Sequence, residues 1–439
     1  MFTKLLAAAI VAAAVTGCAI APPEITTPVK YADPSDAEVS RKVTALLEHG
    51  LTPASAEEIA LLNNRRIVAV YEELNIARSD VLQATLIKNP VLDAALKIPI
   101  SGGATGAELS IVGDFLDLLW VPLRTRMATE SFYAAKARVE GAARRLSSEV
   151  GAAYQTAQTS LEIVELRKQS QLAADLAVEF AKRMRAAGSV RELEVATVAA
   201  AAEEAKLELA AAEAEAAGAR EKLAGLLGLE AEQKFTFAVQ LDEVGAEPEA
   251  AEKLEAAAIE KSFALESLRR RFEAAGAKRE LAHPLGFLNA GVVSEKDYDN
   301  GWAVGPSLSV EIPIFDQGQA KAASAAAEIR QSKQEILATR RRISSQVRES
   351  RIRLIAARNR AVQYKTVILP LREKITAETQ LENSGMLASL FQLLSVKQQE
   401  IEARIAYRTA LRDYRIAEAA LNQLVAGGSI SNNSTGEKE

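Results

Sequence analysis

The chain has 439 residues, a net charge of −5 at neutral pH and a pI near 5.6. This length suits two or three ordinary domains or one elongated architecture, and it does not decide between them. An acidic chain with no cluster of Lys and Arg among aromatic residues lacks the features of a nucleic-acid-binding surface, so nucleic acid is excluded as a predicted partner.

The N-terminus has the layout of a bacterial secretory signal peptide, predicted to cover residues 1–17. Lys4 precedes the apolar run Leu5–Val15, and two small residues follow that run. Cys18 is the only cysteine of the sequence, which rules out an intrachain disulfide and a cysteine-based metal site. Beyond the signal no uninterrupted apolar run reaches about 18 residues, so any membrane crossing is assigned to strands.

Residues 15–18, with the sequence Val-Thr-Gly-Cys, resemble a lipobox. The commonest lipobox has Leu where Val15 stands and Ala or Ser where Thr16 stands, so the match is a permitted variant. The resemblance implies that Cys18 becomes an acylated N-terminus, with palmitate among its chains. Ala19, rather than Asp, follows it and favours the outer membrane. The alternative is that Cys18 is a small buried residue near the end of the signal.

A Pro-rich, polar segment, residues 18–53, is predicted to be an extended tether from the lipid anchor. The chain after it alternates helical and strand-like patterns, and its long helices are rich in Ala, Leu, Glu, Arg and Lys, which are strong helix formers. The elements predicted first are a helix at 54–88, strands at 91–100 and 107–119, a helix at 123–187, a break at Gly188 and Ser189, and a returning helix that ends at Gly228.

The same order recurs in the second half. Its predicted elements are a helix at 250–281, strands at 285–294 and 302–314, a helix at 319–384 and a returning helix that ends near 425. In the strand at 302–314 every second residue from Trp302 to Ile314 is apolar, with small or polar residues between them. This period of two is typical of a strand with one apolar face.

The recurrence predicts an internal duplication. Ser147–Val150 aligns with Ser344–Val347 at an offset of 197 (344 − 147), and Gly188 aligns with Gly385 at the same offset. A fold-level repeat of this kind organises the whole chain. The predicted domains are a first repeat at 54–228, a linker at 229–249, a second repeat at 250–427 and a disordered polar tail at 428–439.

The strands predict an obligate oligomer. Each half supplies two strands of about ten residues, which is long enough to cross a bilayer core when tilted. Four strands cannot close a barrel, and lipid does not tolerate the unpaired backbone of an open sheet edge.

The long helices add heptad-like spacing, which suits either a tunnel or a soluble coiled-coil rod. Such positions are Tyr407, Leu411, Tyr414, Leu421 and Leu424.

Four stretches resemble the TolC-like outer-membrane efflux proteins, and the resemblance covers about residues 51 to 425. The most specific is GPSLSVEIPIFDQGQAKAA, Gly305–Ala323. The others are Leu62–Leu92 and the paired tips Ala186–Val195 and Glu382–Leu394. The resemblance implies a mainly α fold with a membrane β-barrel portion. Three copies would each give four strands to a shared 12-stranded barrel that continues into a long α-helical periplasmic tunnel.

The resemblance also implies a function and partners. The protein would be the outer-membrane channel of a tripartite efflux or type I secretion system, working as a homotrimer with a periplasmic membrane-fusion adaptor and an inner-membrane pump of the RND, ABC or another class. Independently of the resemblance, the sequence has no nucleophile elbow, phosphate loop or metal-ligand spacing, so no catalysis, cofactor or metal site is predicted. The alternative is a lipid-anchored periplasmic coiled-coil adaptor or structural tether without a pore.

Two sets of residues at the hairpin tips acquire roles from the resemblance. The residues implied to contact the adaptor are Ala187, Gly188, Ser189 and Val190 in the first repeat, and Ser384, Gly385, Met386 and Leu387 in the second. The alternative is that each glycine only permits a tight turn with positive φ. In the family, acids six and nine positions after each tip glycine often narrow the periplasmic mouth.

This chain departs from that acidic pattern. Glu194 keeps an acid six residues after Gly188, but Phe391 and Leu394 occupy the two positions after Gly385. The sequence therefore predicts a hydrophobic periplasmic constriction in which Glu194 is the nearest acid. Pro122, Pro313 and Gly318 are predicted to break the backbone where strands turn into tunnel helices.

Overall fold

The computed structural model describes residues 37–48, 50–97, 106–112, 116–230, 233–238, 244–281, 288–297, 301–310, 314–315, 317–385 and 387–429. The predictions for the signal peptide, for Cys18 and for the tail from residue 430 lie outside the described residues. The chain divides into two compact units. The first includes Glu72–Ala137 and Glu266–Leu337, and the second includes Tyr31–Tyr71, Arg138–Leu265 and Ala338–Glu439.

The first half contains the predicted helices and strands with shifted bounds. In chain order its elements are α1 (Ala37–Glu48), α2 (Pro53–Asn63), α3 (Arg65–Thr85), β1 (Val91–Lys97), β2 (Gly106–Val112), a 3-10 turn (Leu116–Leu119), α4 (Val121–Ala186) and α5 (Glu192–Leu227). The 66 residues of α4 confirm the prediction of one unusually long helix.

The second half repeats this order. Its elements are α6 (Ala251–Lys261), α7 (Phe263–Leu281), β3 (Leu288–Asp297), β4 (Gly301–Val310), α8 (Gln319–Gln363), a π-helical turn (Tyr364–Ile368), α9 (Leu369–Ser384) and α10 (Leu390–Val425). The heptad positions predicted on α10 are buried, as a packed helix face requires.

The structure shows the duplication but corrects its offset. The bounds of α6 and α2 differ by 198 at both ends, 251 − 53 and 261 − 63. The bounds of α10 and α5 also differ by 198 at both ends, 390 − 192 and 425 − 227. The offset of 197 from sequence matching is wrong by one position, because an alanine-rich helix interior aligns almost equally well in neighbouring registers.

The four strands form one antiparallel sheet in the order β1-β2-β3-β4. The register pairs Leu92 with Ile111, Ile111 with Ser294 and Ser294 with Val304. Because side chains alternate along a strand, Leu92 of β1 and Leu308 of β4 therefore lie on the same face of the sheet. Leu92 is 62% exposed and Leu308 is 69% exposed, so this apolar face is uncovered in the single chain.

Two predicted strands are longer than the observed ones. The strand predicted at 107–119 ends at Val112, and residues 116–119 form the 3-10 turn. The strand predicted at 302–314 ends at Val310. The apolar residues that suggested longer strands belong in part to the corners that lead into α4 and α8.

Helix α1 lies where an extended tether was predicted. Val39 and Val43, one helical turn apart, are both buried. An apolar pair at this spacing gives a short helix one face to bury, and α1 packs against α2. The extended conformation predicted as far as residue 53 is therefore wrong for residues 37–48.

Tyr154 lies in the core of the second unit. Its side chain is fully buried, and its hydroxyl donates a hydrogen bond to the Leu51 carbonyl oxygen at 2.8 Å. Its ring meets the Phe237 ring edge-on, with 5.2 Å between centroids. Leu51 and Phe237 form an isolated parallel bridge, in which Ala238 N–H donates to the Leu51 oxygen at 2.9 Å. The predicted linker between the repeats therefore contributes core residues.

The end of each long hairpin lies against the point where the two helices before the strands of the same repeat are separated. These helices are α2 and α3 in the first repeat and α6 and α7 in the second. Gly228 follows α5 with a φ of 68°, and a Cβ on it would lie 2.6 Å from the Asn63 carbonyl oxygen at the end of α2. Gly427 follows α10 with a φ of 94°, and its Cβ would lie 2.0 Å from the Lys261 carbonyl oxygen at the end of α6. Only glycine fits this close approach of two backbones.

These breaks correct the single helices predicted at 54–88 and 250–281. Asn64 and Ser262 each leave the helical conformation, with ψ of 114°. The Asn64 Oδ1 accepts the Arg66 N–H at 2.9 Å, while its Nδ2 donates to the Leu226 carbonyl oxygen at 2.8 Å. The break is thus stabilised by the end of α5, a partner distant in sequence that a local helix pattern does not reveal.

Helices α8 and α9 continue through a proline. Pro370 has no N–H, and its ring would clash with the carbonyl of the preceding helical turn. The π-helical turn before it widens the backbone, and Leu369 N–H donates to the Tyr364 carbonyl oxygen five residues back. At the equivalent position of α4, Leu172, the helix is regular.

Candidate functional site at the hairpin tips

The first tip, between α4 and α5, is closed by a left-handed glycine. Gly188 has a φ of 76°, and nothing lies within 4 Å of the position a Cβ would take. Ser189 N–H donates to the Met184 carbonyl oxygen at 2.9 Å, and Gly188 N–H donates to the Arg185 oxygen at 3.0 Å. This pair of bonds is a Schellman motif, which ends a helix at a glycine. Ala187 and Val190 complete the predicted contact set, and the space around Gly188 is open.

The second tip, between α9 and α10, repeats this backbone pattern. Leu387 N–H donates to the Glu382 carbonyl oxygen at 2.8 Å. Both residues correspond to residues of the first tip at the offset of 198, 387 to 189 and 382 to 184. The Leu387 side chain is 85% exposed, and Ser384 is also exposed. Met386, predicted with them, lies outside the described residues.

Gly385 differs from the prediction for it. Its φ is −84° and its ψ is 4°, so it does not supply the positive φ expected of a tip glycine. At the offset of 198 it is the counterpart of Ala187, and its N–H donates to Leu381 as that of Ala187 donates to Arg183. The matching of the two tip glycines in sequence therefore placed Gly385 one residue away from its structural counterpart.

Acids at the first tip are paired with neighbouring arginines. Arg185 Nε lies 3.2 Å from Glu192, across the turn. Arg191 donates its backbone N–H to Glu194 at 3.0 Å and its guanidinium to the same carboxylate, also at 3.0 Å. The backbone hydrogen bond, followed by the side-chain one, lowers the pKa of Glu194. Glu194 is therefore an ionised carboxylate whose charge is compensated locally.

A cleft of about 650 Å³ brings together the residues predicted to form the constriction. Glu194 of α5 lines it together with Phe391 and Leu394 of α10. Val190 and Ser389, one from each tip, line the same cleft, so the two tips of one chain lie side by side. Most of its wall is alanine, valine, leucine and phenylalanine, which makes the cleft an apolar space beside one paired acid.

The corrected offset changes which residues of the second hairpin are equivalent to the acids of the first. Counting from the glycine matches Phe391 to Glu194, whereas the offset of 198 matches Gln392 to Glu194. The same shift replaces Leu394 by Ser395. Phe391, Leu394 and Ser395 all line the cleft, so α10 presents apolar and hydroxyl groups there.

A buried carboxylate lies in the second hairpin, and the sequence analysis did not find it. The Glu400 side chain is 3% exposed and receives Lys397 Nζ at 3.0 Å and Arg404 Nη2 at 2.8 Å. Burial opposes its ionisation, but the hydrogen bonds of Lys397 and Thr376 and the charge of Arg404 outweigh it and lower the pKa of Glu400. Arg404 also reaches Glu373 on α9 at 3.1 Å. The cluster therefore joins α9 to α10 close to the tips.

Replacing Glu400 by glutamine is expected to lower the free energy of unfolding by about 1–3 kcal/mol at neutral pH, because the buried position then loses its charge-assisted hydrogen bonds with Lys397 and Arg404. A carboxyl with a lowered folded-state pKa stabilises above its unfolded pKa, and this stabilisation fades as the pH falls below the ordinary value of 4.5. Thermal melts across pH 3–7 would therefore show a smaller acid-side decrease for Glu400→Gln. Glu378→Gln, on the exposed side of α9, is the control; equal curves for Glu400→Gln and the parent would contradict the assignment.

Ion pairs also join the two hairpins. Arg167 of α4 contacts Glu402 of α10, and it lies 2.8 Å from Glu208 of α5. Arg408 of α10 lies 3.3 Å from Glu162 of α4. The partners on α4 and α10 belong to different repeats of the chain, so no local pattern could have identified them.

Several solved structures are similar to the chain over most of its length. A membrane protein from Pseudomonas aeruginosa shares 17% identity, with a TM-score of 0.69 over 92% of this chain and 97% of that one. The open-state MtrE outer-membrane channel of Neisseria gonorrhoeae shares 16% identity, with a TM-score of 0.71 over 86% and 89%. The CmeC outer-membrane channel of Campylobacter jejuni shares 13% identity, with a TM-score of 0.70 over 86% of each chain.

The chain has the TolC-like outer-membrane channel fold. The fold implied by the sequence motifs is thereby confirmed. No protein-family model matches the chain, and no curated protein matches its sequence.

In this TolC-like chain the corner before α4 is stabilised by the buried carboxylate of Asp117, which pairs with two basic side chains. Asp117 in the 3-10 turn accepts two hydrogen bonds from Arg124 at 2.7 and 2.9 Å, and Lys88 lies 3.3 Å away. Burial raises the pKa of Asp117, but the hydrogen bonds from Arg124 and Lys88 outweigh the effect of burial, so the pKa is lowered overall. Pro122 lies in the first turn of α4, where its missing N–H costs nothing.

The corner before α8 is built differently. Gly318 has a φ of 79°, and its carbonyl oxygen accepts the Ala322 N–H at 2.9 Å. Phe315, at the position equivalent to Asp117, is 90% exposed. Pro313 lies outside the described residues. Gly318 thus has a left-handed backbone directly before α8. Among the described residues of this corner, no acid occupies the position equivalent to Asp117.

No described helix of this TolC-like chain combines the length and apolarity needed to cross a bilayer. In the same part of the chain, no three acidic, His or Cys side chains converge as metal ligands would.

Proposed function

We propose that the protein is the outer-membrane channel of a tripartite efflux or type I secretion system. The observation that carries this proposal is the sheet with an uncovered apolar face, joined in one duplicated chain to two long helical hairpins. The similarity to the MtrE and CmeC channels over most of both chains supports it. The proposed location is the bacterial outer membrane, with the hairpins in the periplasm and Cys18 as the lipid anchor.

The proposed assembly is a homotrimer. Among the described residues, β1 and β4 each have one edge that pairs with no other strand. Unpaired backbone groups are not tolerated in lipid, so the edges require strands from other copies. Three chains of four strands would close a 12-stranded barrel, and the α-helices would continue it as a tunnel.

The proposed partners are a periplasmic membrane-fusion adaptor and an inner-membrane pump, which supply the energy. We assign adaptor contact to the two tips, because the space around Gly188 is open and Leu387 is exposed. The channel itself performs no catalysis under this proposal, and its substrate passes through without chemical change.

The experiment that tests the channel is reconstitution of the purified full chain into planar bilayers. A trimer that resists sodium dodecyl sulfate until heated, and that gives discrete conductance steps, is the expected result. A lipid-anchored adaptor or tether without a pore would give no conductance and would become soluble without detergent once residues 1–18 are removed. Either of those results would overturn the proposal.

Phe391→Ala is expected to increase the single-channel conductance, because removing the phenyl ring widens and wets the apolar cleft at the proposed constriction. Phe391→Leu, which keeps an apolar side chain, is the matched control and should change the conductance less. Glu194→Ala should alter block by cations more than it alters conductance. The substitution removes a negative charge and leaves the positive charge of Arg191 without its partner, but it does not remove the apolar side chains of the cleft. Unchanged conductance and cation block in both alanine variants would remove the constriction from the proposal.

A further inference from the structure

A second cavity lies in the second unit, beside the break between α2 and α3. Its volume is about 710 Å³, which is within the range of small-molecule sites in proteins. The start of α3, the N-terminal half of α4 and the ends of α5 and α10 form its wall. Three of these helices contribute a basic side chain: Arg66 from α3, Arg145 from α4 and Lys222 from α5. We call this space the basic cavity.

The lining positions of each long helix lie on one face. On α4 they are positions 142, 145, 149, 152 and 156, and on α5 they are positions 219, 222 and 226. Spacings of three and four place side chains on the same side of a helix. Arg145 and Lys222 therefore belong to the faces that α4 and α5 turn towards the basic cavity.

A hydrogen bond joins the start of α3 to the end of α5. The Asn64 Nδ2 donates to the Leu226 carbonyl oxygen at 2.8 Å, and the Asn64 Oδ1 accepts the Arg66 N–H at 2.9 Å. Leu226 lies about one helical turn after Lys222, and both line the basic cavity. The contact that stabilises the helix break therefore also places Arg66 and Lys222 at the same cavity.

The three basic side chains have no acidic partner in the part of the chain that the structure describes. Arg66, Arg145 and Lys222 are all exposed, and none of them forms an ion pair there. Among the described residues, Glu149 is the one acid of the lining, one turn after Arg145 on α4. Three bases and one acid give the lining a net charge of +2 (3 − 1).

The second repeat shows that a helix break of this kind does not need the basic residues. At the offset of 198, Arg66 corresponds to Ala264 and Lys222 corresponds to Ala420. The break at Ser262 nevertheless forms, and the end of α10 packs against it as the end of α5 packs against the first break. The packing of the break therefore does not account for the two basic residues of the first repeat.

We propose that the basic cavity binds a small organic phosphate, which is a phosphate monoester with an apolar body. Such a group carries a charge of about −1.5 to −2 at neutral pH and has three strong acceptor oxygens. It matches three basic donors and a net charge of +2 better than a carboxylate, which has one charge and two oxygens. Arginine binds phosphate through two parallel hydrogen bonds, and lysine binds it as a point charge.

The apolar part of the wall binds the body of the ligand. It consists of aliphatic side chains from α3, α4 and α5, among them Ile67, Val70, Leu146 and Leu226. The basic cavity is separate from the cleft at the tips, because Lys222 lies 30 residues (222 − 192), or about 45 Å, along α5 from Glu192. The site therefore goes beyond the proposed channel function and does not depend on it.

Calorimetric titration of the purified full chain with naphthyl phosphate tests the site, with detergent micelles alone as the blank. The expected result is saturable binding of one naphthyl phosphate per chain, weaker binding of inorganic phosphate and still weaker binding of naphthol. Lys222→Gln and Arg145→Gln are each expected to weaken the binding of naphthyl phosphate on the order of tenfold, because each removes a charged donor. Arg144→Gln is the matched control, since Arg144 is exposed on α4 but does not line the cavity.

Glu149→Gln is expected to change the affinity in the opposite direction. Removing the acid raises the net charge of the lining, so naphthyl phosphate should bind about two- to fivefold more tightly. A role in folding alone would not increase the affinity. Without ligand, the Lys222, Arg145 and Glu149 variants should melt at the parent temperature, because no ion pair is lost. Naphthyl phosphate should raise the melting temperature of the parent more than that of Lys222→Gln.

Four results would overturn the site. The first is equal affinity of the parent, Lys222→Gln and Arg145→Gln for naphthyl phosphate, and the second is naphthol binding as tight as that of naphthyl phosphate. The third is binding only after residues 430–439 are removed, since the segment that follows Ser429 would then fill the cavity. The fourth is a chain that conducts in planar bilayers but binds no probe, which leaves the channel intact. A chain that binds naphthyl phosphate without conducting overturns the channel and supports the site.

Discussion

Replacing Gly427 by alanine is expected to lower the free energy of unfolding by about 2–5 kcal/mol. This value combines the cost of placing alanine in a left-handed conformation with the cost of a backbone clash. Gly427 has a φ of 94°, and a Cβ would lie 2.0 Å from the Lys261 carbonyl oxygen. A carbonyl of the main chain cannot rotate away as a side chain can. The Gly427 oxygen also accepts the Phe263 N–H at 3.1 Å, so the shift would disturb the start of α7.

Substitutions at two other glycines separate the cost of the left-handed conformation from the cost of the backbone clash. Gly188→Ala retains the left-handed strain but has open space around it, so it should cost only about 1–2 kcal/mol. Gly151→Ala, in the interior of α4 with nothing within 4 Å, should stabilise by about 0.5–1 kcal/mol. Thermal melts of the detergent-solubilised protein would give this ranking. A Gly427 variant as stable as the Gly188 variant would show that the contact with Lys261 is absent.

Replacing Tyr154 by alanine is expected to cost about 3–5 kcal/mol, the range for removing a large buried aromatic side chain. The ring is fully buried against Phe237, and its hydroxyl binds the Leu51 carbonyl oxygen. The substitution would leave a cavity where α4, the segment before α2 and the segment after α5 meet. Loss of thermal stability and earlier proteolysis near Leu51 are the expected readouts.

Tyr154→Phe is the matched control, because it keeps the ring and removes only the hydroxyl. The Leu51 oxygen retains the Ala238 N–H, so the expected cost is about 0.5–1.5 kcal/mol. Burial raises the pKa of Tyr154, which keeps the hydroxyl protonated as a donor at all physiological pH values. If the phenylalanine variant proved as unstable as the alanine variant, the packing argument would be contradicted.

The helices and the strand positions were predictable because their signals are local. Alanine-rich runs without proline predicted α4, and the predicted bounds differ from the observed Val121–Ala186 by two residues or fewer. Alternation from Trp302 predicted β4, although the strand ends at Val310. Glycine at a tip predicted the turn at Gly188, because the left-handed conformation has a residue preference that can be read from sequence.

The helix breaks and the repeat offset were not predictable. Asn64 and Ser262 lie in segments with helical patterns, and their breaks exist because the ends of α5 and α10 approach them. The offset of 198 depends on which residue of the second tip ends its helix. The sequence pointed to Gly385 as the counterpart of Gly188. The hydrogen bond from the Leu387 N–H to the Glu382 carbonyl oxygen instead places the turn one residue after the position predicted from Gly385.

The candidate site also had a part that could be predicted from the sequence and a part that could not. Glu194, Phe391 and Leu394 were named from their spacing to the tip glycines, and the cleft that joins them required both hairpins. The ion pairs of the buried Glu400 had no sequence signal, because a glutamate in a charged helix gives no indication of its burial.

By itself the sequence determined an α-helical, internally repeated chain with four strands, because helix propensity, strand alternation and tip glycines act over a few residues. Only the tertiary structure decided where helices break, which residues of the two repeats correspond and which acids are buried. Those features depend on backbone and ion-pair contacts between segments as distant in sequence as those of Arg167 and Glu402. Such contacts form only when the hairpins fold back on the short helices, so no local pattern encodes them.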